Sequence, residues 1–243
     1  TQKPPFNDNR VREAFARAIN REAICRVLLR GAAVPAYSML PPGFEDYDGS
    51  KYKAWQGFDP QRAKQLMREA GYPNGRGFPR QEIWLRAPGP VYRNVAIAIQ
   101  GMIKEHLGID LSIRAADDSA YMSALFDWQM NIGLLTFGAD FMDPRNMLDM
   151  TWRSQPRGAG RQDWQNAQFD ALVQQAISTV DANRRSMLYR QAEQILVSDY
   201  GAAFIYHPIG LQLRKPWIKG YKILPDGTVG RKFDFTKVYI AEH

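Results

Sequence analysis

The segment of residues 136–144 holds the side chains of this 243-residue chain that are best placed for chemistry. It reads TFGADFMDP and follows a nearly continuous apolar run, residues 130–137, at the point where a helix is expected to begin. Ligands of open α/β sheets gather at such carboxyl ends of strands. Asp140 is therefore a candidate anchor for a cation, because the glycine at position 138 lets a ligand approach the backbone.

Asp140 also has a more ordinary interpretation. On spacing alone, a turn or capping aspartate is the commoner role for such a residue, and both interpretations stay open at this point. Asp143, directly before Pro144, is the pattern of a helix N-cap followed by proline at the first helical position.

Other candidate site residues are aromatic and basic side chains in loops. Tyr37 and Trp152 could line a site, although aromatic residues in loops more often serve as packing anchors. Arg153, Arg157 and Arg161 could hold a carboxylate in bidentate fashion, but arginines at such positions are usually surface residues.

Catalytic and metal-binding patterns are not found in the sequence. The three histidines lie in different segments, with no HExxH or CxxC pattern nearby. There is no GxSxG, P-loop or GxGxxG motif, and the single cysteine, Cys25, stands in a helical pattern without a histidine beside it. We therefore predict no enzymatic activity, no metal and no other cofactor, and we interpret His207 as a structural histidine with satisfied hydrogen bonds.

Composition indicates a globular chain with enough apolar material for a core. Apolar residues make up 45%, aromatic residues 12% and charged residues 23% of the sequence. The formal net charge of +7 could suggest a nucleic-acid partner. However, the last 30 residues hold seven basic residues against three acidic ones, dispersed among proline, glycine and aromatic positions. We therefore predict no nucleic-acid binding.

Hydrophobic periodicity predicts an α/β chain around the 136–144 segment. One amphipathic helix should run from Asp8 to Gly31, and aspartates at positions 59, 118, 143 and 181 should open further helices. Strands are predicted at residues 83–87, 109–113, 130–137, 203–206, 211–213 and 238–240. A helix over residues 91–107 lies between the first two strands, so a right-handed crossover should pair them in parallel.

Many ordered motifs in this chain are similar to those of a known family. They are PFNDNRVREAFARAINREAI (5–24), VPAY (34–37), PPG (41–43), FDP (58–60), AGYPNG (70–75), LGI (107–109), GAD (138–140), DP (143–144), YRQAEQIL (189–196) and KPWIKGY (215–221). In this order they resemble the family 5 extracellular solute-binding proteins, the peptide, dipeptide and nickel receptors of ABC importers. The similarity covers essentially the whole chain.

The resemblance implies a lobe of the periplasmic-binding-protein type II-like fold, α/β with a mixed sheet flanked by helices. Family members are about twice this length, and the chain resembles their carboxyl-terminal half. Residues 1–6 would cross between lobes, residues 7–206 would form the second ligand-binding lobe, and residues 207–243 would cross back and complete the absent first lobe. A tail lacking part of its partner could pair with another copy, which would allow self-association.

The resemblance also implies the function: a substrate-binding component that closes on oligopeptides or dipeptides and delivers them to ABC permease transmembrane subunits. Such receptors are periplasmic or extracellular, and the full-length form would be a membrane-anchored lipoprotein. By this resemblance Asp140 holds the ligand's α-ammonium group. Phe137 and Phe141 flank it, the backbone of Gly138 and Ala139 bonds the ligand, and Trp152 and Tyr37 form walls.

Two departures from the family pattern leave the ligand open. Phe137 and Gly138 stand where peptide receptors often have tryptophan and then cysteine or glycine, and Leu134 replaces an arginine found in some members. A sugar or another cationic small solute is therefore the alternative ligand, and nickel is not assigned.

Overall fold

The helices and strands follow the predicted alternation. The computed structural model describes residues 1–44, 47–86, 89–158, 163–210, 213–220 and 237–242. The helices are α1 (Asn9–Ala18), α2 (Arg21–Ala23), α3 (Lys53–Gln56), α4 (Pro60–Glu69), α5 (Pro90–Leu107), α6 (Asp118–Phe126), α7 (Pro144–Trp152), α8 (Ala167–Ser178) and α9 (Ala182–Ser198). The strands are β1 (Ala33–Pro35), β2 (Gln81–Arg86), β3 (Leu111–Ala116), β4 (Ile132–Leu134), β5 (Tyr206–Pro208), β6 (Ile218–Lys219) and β7 (Tyr239–Ile240).

A three-stranded parallel sheet in the order β3-β2-β4 forms the scaffold. Ile83 of β2 lies opposite Ile113 of β3 on one side and Ile132 of β4 on the other. Helix α5 connects β2 to β3, and the predicted parallel pairing of these two strands is confirmed. The carboxyl ends of all three strands therefore lie at one edge of the sheet.

Strand β4 is shorter and less buried than the apolar run predicted. Only Ile132–Leu134 is in the strand, and its residues are half-buried or exposed. Within the described part of the chain, β4 pairs only with β2. The Tyr121 hydroxyl donates to the carbonyl of Leu134, the last residue of β4, at 3.2 Å.

The prediction of one long first helix is wrong. Helix α1 ends at Ala18, and the Asn20 side chain accepts from the amide of Ala23 at 2.9 Å, which opens a new helix. A π-helical turn, Ile24–Leu28, follows. The break has a physical cause, because the guanidinium of Arg21 donates to the carbonyls of Ala16 and Ile19 at 2.9 and 3.1 Å. These carbonyls are thereby satisfied without a continuous helix.

Two apolar cores hold the described residues together. The first lies between α1, α4, α5 and the sheet, and the second lies between α7, α8 and α9. Fully buried members of the first include Val11, Leu66, Leu85 and Ile103. Those of the second include Trp164, Phe169, Tyr189 and Leu196.

An antiparallel two-stranded ladder, β1 with β5, joins early and late parts of the chain. Its hydrogen bonding extends past both strands, from the amide of Ala36 to the carbonyl of Ile205 at 3.2 Å and from Ile209 to Ala32 at 2.9 Å. β5 begins at Tyr206, whereas the sequence predicted a strand over residues 203–206. The predicted 211–213 strand lies mainly outside the described residues, and so does position 87, the predicted end of the 83–87 strand. The predicted 238–240 strand corresponds to β7, which pairs with β6.

Candidate functional site

The candidate site is built on the segment between β4 and α7, residues 135–143, which we call the anchor segment. Asp143 caps α7 as predicted, with its Oδ1 accepting from the amide of Arg145 at 2.9 Å. The fully buried Asn146, in the first turn of α7, accepts from the backbone amide of Asp140 at 3.0 Å. The helix therefore fixes the backbone at position 140, while the Asp140 side chain is exposed.

A small third apolar cluster supports the anchor segment. Phe137, Ala139 and Met142 pack against a centre formed by Leu40, Phe44 and Met147. Leu40 and Phe44 belong to the stretch 36–52, of which residues 45 and 46 are not described; we call this stretch the support segment. The structure thus brings Phe137 and Ala139 together on a packed base.

Gly138 and Phe141 complete the predicted set on this segment. A Cβ added at Gly138 would meet no atom within 4 Å, so the backbone there is open to an approaching group. Phe141 is half-buried. Five of the seven predicted site residues therefore lie on one short segment whose packed and open faces alternate.

A cavity of about 280 Å³ lies beside the anchor segment at the carboxyl ends of β2 and β4. It is lined by Leu85, Arg86, Tyr92, Asp118, Leu134, Leu135 and Thr136. Thr136, in the cavity wall, is four residues from Asp140. The Cα atoms of these two residues are therefore at most about 14 Å apart.

The polar rim of this cavity is an ion pair. Arg86 donates from Nε to Oδ1 of Asp118 at 3.1 Å and from Nη2 to Oδ2 at 3.0 Å. The guanidinium lowers the pKa of the Asp118 carboxyl, mainly through these hydrogen bonds. The Tyr92 hydroxyl lies 3.4 Å from Oγ1 of Thr136 and links α5 to the anchor segment.

The sequence reasoning missed the cavity residues Arg86, Tyr92 and Asp118. Asp118 was interpreted as a helix opener, but Asp117 is the cap, accepting from the amide of Ala120 at 2.8 Å. The signal that could have pointed to Arg86 is its position as the last residue of a strand whose end faces the same edge as the anchor segment.

Tyr37 and Trp152 lie away from the anchor segment's cluster. Both belong to the second core, and each is 7% exposed. The Tyr37 hydroxyl donates to Oε1 of Glu22, and the Trp152 ring packs edge-on against Trp164. Their role as ligand walls remains a prediction.

Two of the three arginines considered for holding a carboxylate are described. Arg153 pairs with Asp149 of the preceding helix α7, Nε to Oδ1 at 3.0 Å, and Arg157 is exposed. Arg161 lies outside the described residues.

The interpretation of His207 as a satisfied histidine is wrong. Its Nε2 atom is buried without a hydrogen-bond partner in the described part of the chain, and its ring meets Tyr47 edge-on with centroids 6.2 Å apart. Burial lowers the pKa of His207 to about 4. The imidazole is therefore neutral near pH 7.

The described residues hold neither a cluster of metal ligands nor a membrane-spanning helix. Among them, no group of three or more histidine, cysteine, aspartate or glutamate side chains is arranged to hold a metal ion. None of the described helices combines the length and the apolar character that crossing a bilayer requires.

Residues 1–159 match the family model described as "Bacterial extracellular solute-binding proteins, family 5 Middle". The chain belongs to this family. The resemblance found in the sequence motifs is thereby confirmed, and members of the family are solute-binding receptors.

Curated relatives are similar over most of this chain. A probable deoxycholate-binding periplasmic protein of Escherichia coli is 29% identical over 91% of the chain and 41% of its own length. A dipeptide-binding protein of the same organism is 28% identical over 93% of the chain and 42% of its own length. The chain thus spans less than half the length of these relatives.

The fold agrees with solved structures. A periplasmic binding protein associated with an ABC transporter of Helicobacter pylori, in complex with the peptide STSA, superimposes with a TM-score of 0.79. It is 26% identical over all of this chain and 46% of its own chain. The predicted α/β architecture of a periplasmic binding protein is confirmed. A mixed sheet was predicted, but among the described residues the sheet β3-β2-β4 is parallel throughout and the antiparallel pairs form separate two-stranded sheets.

Proposed function

We propose that this chain is the carboxyl-terminal half of a peptide receptor of an ABC importer and acts by binding, without turnover. The observation that carries the proposal is the exposed carboxylate of Asp140, held on the anchor segment next to the carboxyl edge of a parallel sheet. Two relatives support a peptide as the ligand. The Helicobacter pylori structure is a complex with the peptide STSA, and the Escherichia coli relative is a dipeptide-binding protein.

The proposed organisation follows from the fraction of the relatives' length that the chain spans. Residues 1–6 cross between lobes, residues 7–206 form the second lobe, and residues 207–243 return to complete the first. The β1–β5 ladder lies across the proposed boundary, since Tyr206, His207 and Pro208 all pair with β1. The receptor would stand in the periplasm or outside the cell as a lipoprotein and pass its ligand to permease subunits. The returning tail could also pair with a second copy.

Ligand capture would begin at Asp140. Its carboxylate accepts from the α-ammonium of the peptide, and a charge-assisted hydrogen bond of this kind contributes about 1.5–3 kcal/mol. The open backbone at Gly138 and Ala139 bonds the main chain of an extended ligand, which tolerates many side chains. Phe141 would flank the amine, whereas Phe137 packs into the base of the segment and supports it from below.

The cavity beside Arg86 would take a further part of the ligand. Its apolar lining suits a side chain, and Arg86 is already neutralised by Asp118. Contacts between the ligand and both lobes favour the closed form over the open form, and the permease would recognise the closed form.

The test is Asp140→Asn in the two-lobed protein, with Asp110→Asn as a matched control for charge, since Asp110 is exposed before β3. We expect affinity for a tripeptide, measured by calorimetry, to fall about 10- to 150-fold in the first variant and to be unchanged in the second. The same tripeptide with an acetylated amino terminus should bind wild type and variant equally weakly. Equal affinity of wild type for the free and acetylated peptides would overturn the proposal.

The alternative is a sugar or another cationic small solute. The relative named for deoxycholate, an anion, supports neither of these and indicates only that relatives can bind ligands other than peptides. A neutral sugar would be insensitive to Asp140→Asn. A cationic solute other than a peptide would lose affinity in the variant but would not be displaced by tripeptides. Displacement of the bound solute by a mixed pool of tripeptides would therefore indicate a peptide receptor, and no displacement would indicate a receptor for another cationic solute.

A further inference from the structure

Glu193, on α9, is a buried carboxylate that the proposed ligand chemistry does not use. The residue is 1% exposed. Its Oε1 accepts from the backbone amide of Leu40 at 3.2 Å, and the hydroxyls of Ser38 and Tyr52 lie close enough to oppose the rise in its pKa. All three residues belong to the support segment, Ser38 and Leu40 near its start and Tyr52 at its end. One carboxylate on α9 therefore lies beside both ends of that segment.

The charged and titratable groups around Glu193 do not form an ion pair with it in the described structure. Lys51, from the support segment, acts on it only at a distance, and Arg190, one turn earlier on α9, lines a separate surface pocket with Asp48 and Lys51. The Tyr52 hydroxyl lies 3.4 Å from the carbonyl of Arg190 as well. Burial raises the pKa of Glu193 to about 7, so its charge changes close to neutral pH.

The support segment connects Glu193 to the anchor segment. The backbone amide of Leu40 donates a hydrogen bond to Glu193. The side chain of Leu40 is 0% exposed and lies at the centre of the cluster on which Phe137 and Ala139 pack. A displacement of Leu40 must therefore displace the base of the anchor segment, because a close-packed cluster transmits such shifts.

We propose that Glu193 is a positioning residue that sets the place of the anchor segment, and with it Asp140, through its hydrogen bonds to the support segment. The protonated acid accepts the Leu40 amide through its carbonyl oxygen and can donate from its hydroxyl to the oxygen of Ser38 or Tyr52. Ionisation places a charge on a residue that is 1% exposed, and opening the support segment relieves that cost. A rise in pH therefore loosens the support segment and the anchor segment above it. The relevance to ligand capture rests on the proposed function, but the movement itself does not.

The experiment is hydrogen exchange of the unliganded 243-residue chain between pH 6 and 8.5, corrected for the intrinsic pH dependence of exchange. We expect amides of residues 38–52 and 137–147 to exchange at least three-fold faster at pH 8.5 than at pH 6. Glu193→Gln should remove this dependence in both segments, whereas Glu105→Gln, at a side chain that is 74% exposed, should preserve it. His207 does not contribute in this range, since its pKa is about 4.

A second variant keeps the proposal testable if Glu193→Gln fails to fold. Ser38→Ala removes one donor to the ionised form, so the midpoint of the exchange transition should move to higher pH in residues 137–147 as well as in 38–52. A pH response confined to residues 38–52 and α9, or no response, would overturn the proposal. Because no ligand is present, such a result is distinct from a failure of amine binding at Asp140.

Discussion

Arg21 shows how much of this fold depends on single polar side chains. Its guanidinium is 0% exposed and donates to the carbonyls of Ala16, Ile19 and Phe204 and, at 2.9 Å, to Oε1 of Gln56. Burial lowers the pKa of Arg21 to about 10, so the group stays charged near neutral pH. One cation thereby joins the break after α1 to α3 and to the segment that leads into β5.

Removing this cation should be costly. Arg21→Met removes the guanidinium donor from four oxygen acceptors, of which the Ala16 carbonyl still accepts from the amide of Ile19. We expect the free energy of unfolding to fall by about 3–5 kcal/mol. Arg26→Met, five residues later on the exposed side of the π-helical turn, should change it by less than about 0.5 kcal/mol. Urea denaturation followed by tryptophan fluorescence measures both. Similar losses in the two variants would contradict the assigned role.

Glu193 should make stability depend on pH. Its pKa in the folded chain, about 7, lies above the ordinary value of 4.5, so its contribution is fully present below pH 4.5 and is lost as the pH rises to 7. Between pH 5.5 and 8 the wild type should lose about 2 kcal/mol of unfolding free energy relative to Glu193→Gln. Chemical denaturation at the two pH values measures the unfolding free energy of both proteins. An equal change of this free energy with pH in wild type and variant would refute the prediction.

Most helix starts follow from local sequence signals, whereas the break after α1 and the end of β4 do not. Asp59, Asp143 and Asp181 cap helices as predicted, because each accepts from an amide two or three residues ahead. The break at Asn20 could not be predicted from periodicity, since it depends on Arg21 reaching the carbonyl of Phe204, 183 residues away. The apolar run before the anchor segment likewise overstated β4, whose last carbonyl accepts from the Tyr121 hydroxyl.

The turn before β2 offers a matched pair of glycines. Gly75 and Gly77 have φ angles of +75° and +76°, but a Cβ at Gly75 would lie 2.5 Å from the carbonyl oxygen of Gly108, whereas one at Gly77 would meet nothing within 4 Å. Both alanine variants incur the left-handed backbone cost of about 1–2 kcal/mol. We expect Gly75→Ala to destabilise by at least about 1 kcal/mol more, because the turn must also move away from the end of α5. Thermal or urea unfolding compares the two, and equal losses would show that the close approach carries no energy.

For the whole molecule, the sequence located the anchor segment but not the rest of the candidate site. Asp140 and its neighbours stand in one short motif, so they could be found without coordinates. Arg86, Tyr92 and Thr136 are up to 50 positions apart, and only the parallel order β3-β2-β4 brings them to one cavity. The support segment was equally hidden, since Glu193 meets Leu40 across 153 residues.

Cys25, the single cysteine of the chain, is 4% exposed, and burial raises the pKa of its thiol to about 11. A maleimide or an aromatic disulfide reagent should therefore react with the native chain far more slowly than with the chain in 8 M urea, and comparable rates would show that the thiol is accessible. A cysteine engineered at an open surface position should then take up a fluorophore almost alone. The wild-type background thus suits the chain to conversion into an optical reporter, with no need to remove a native thiol first.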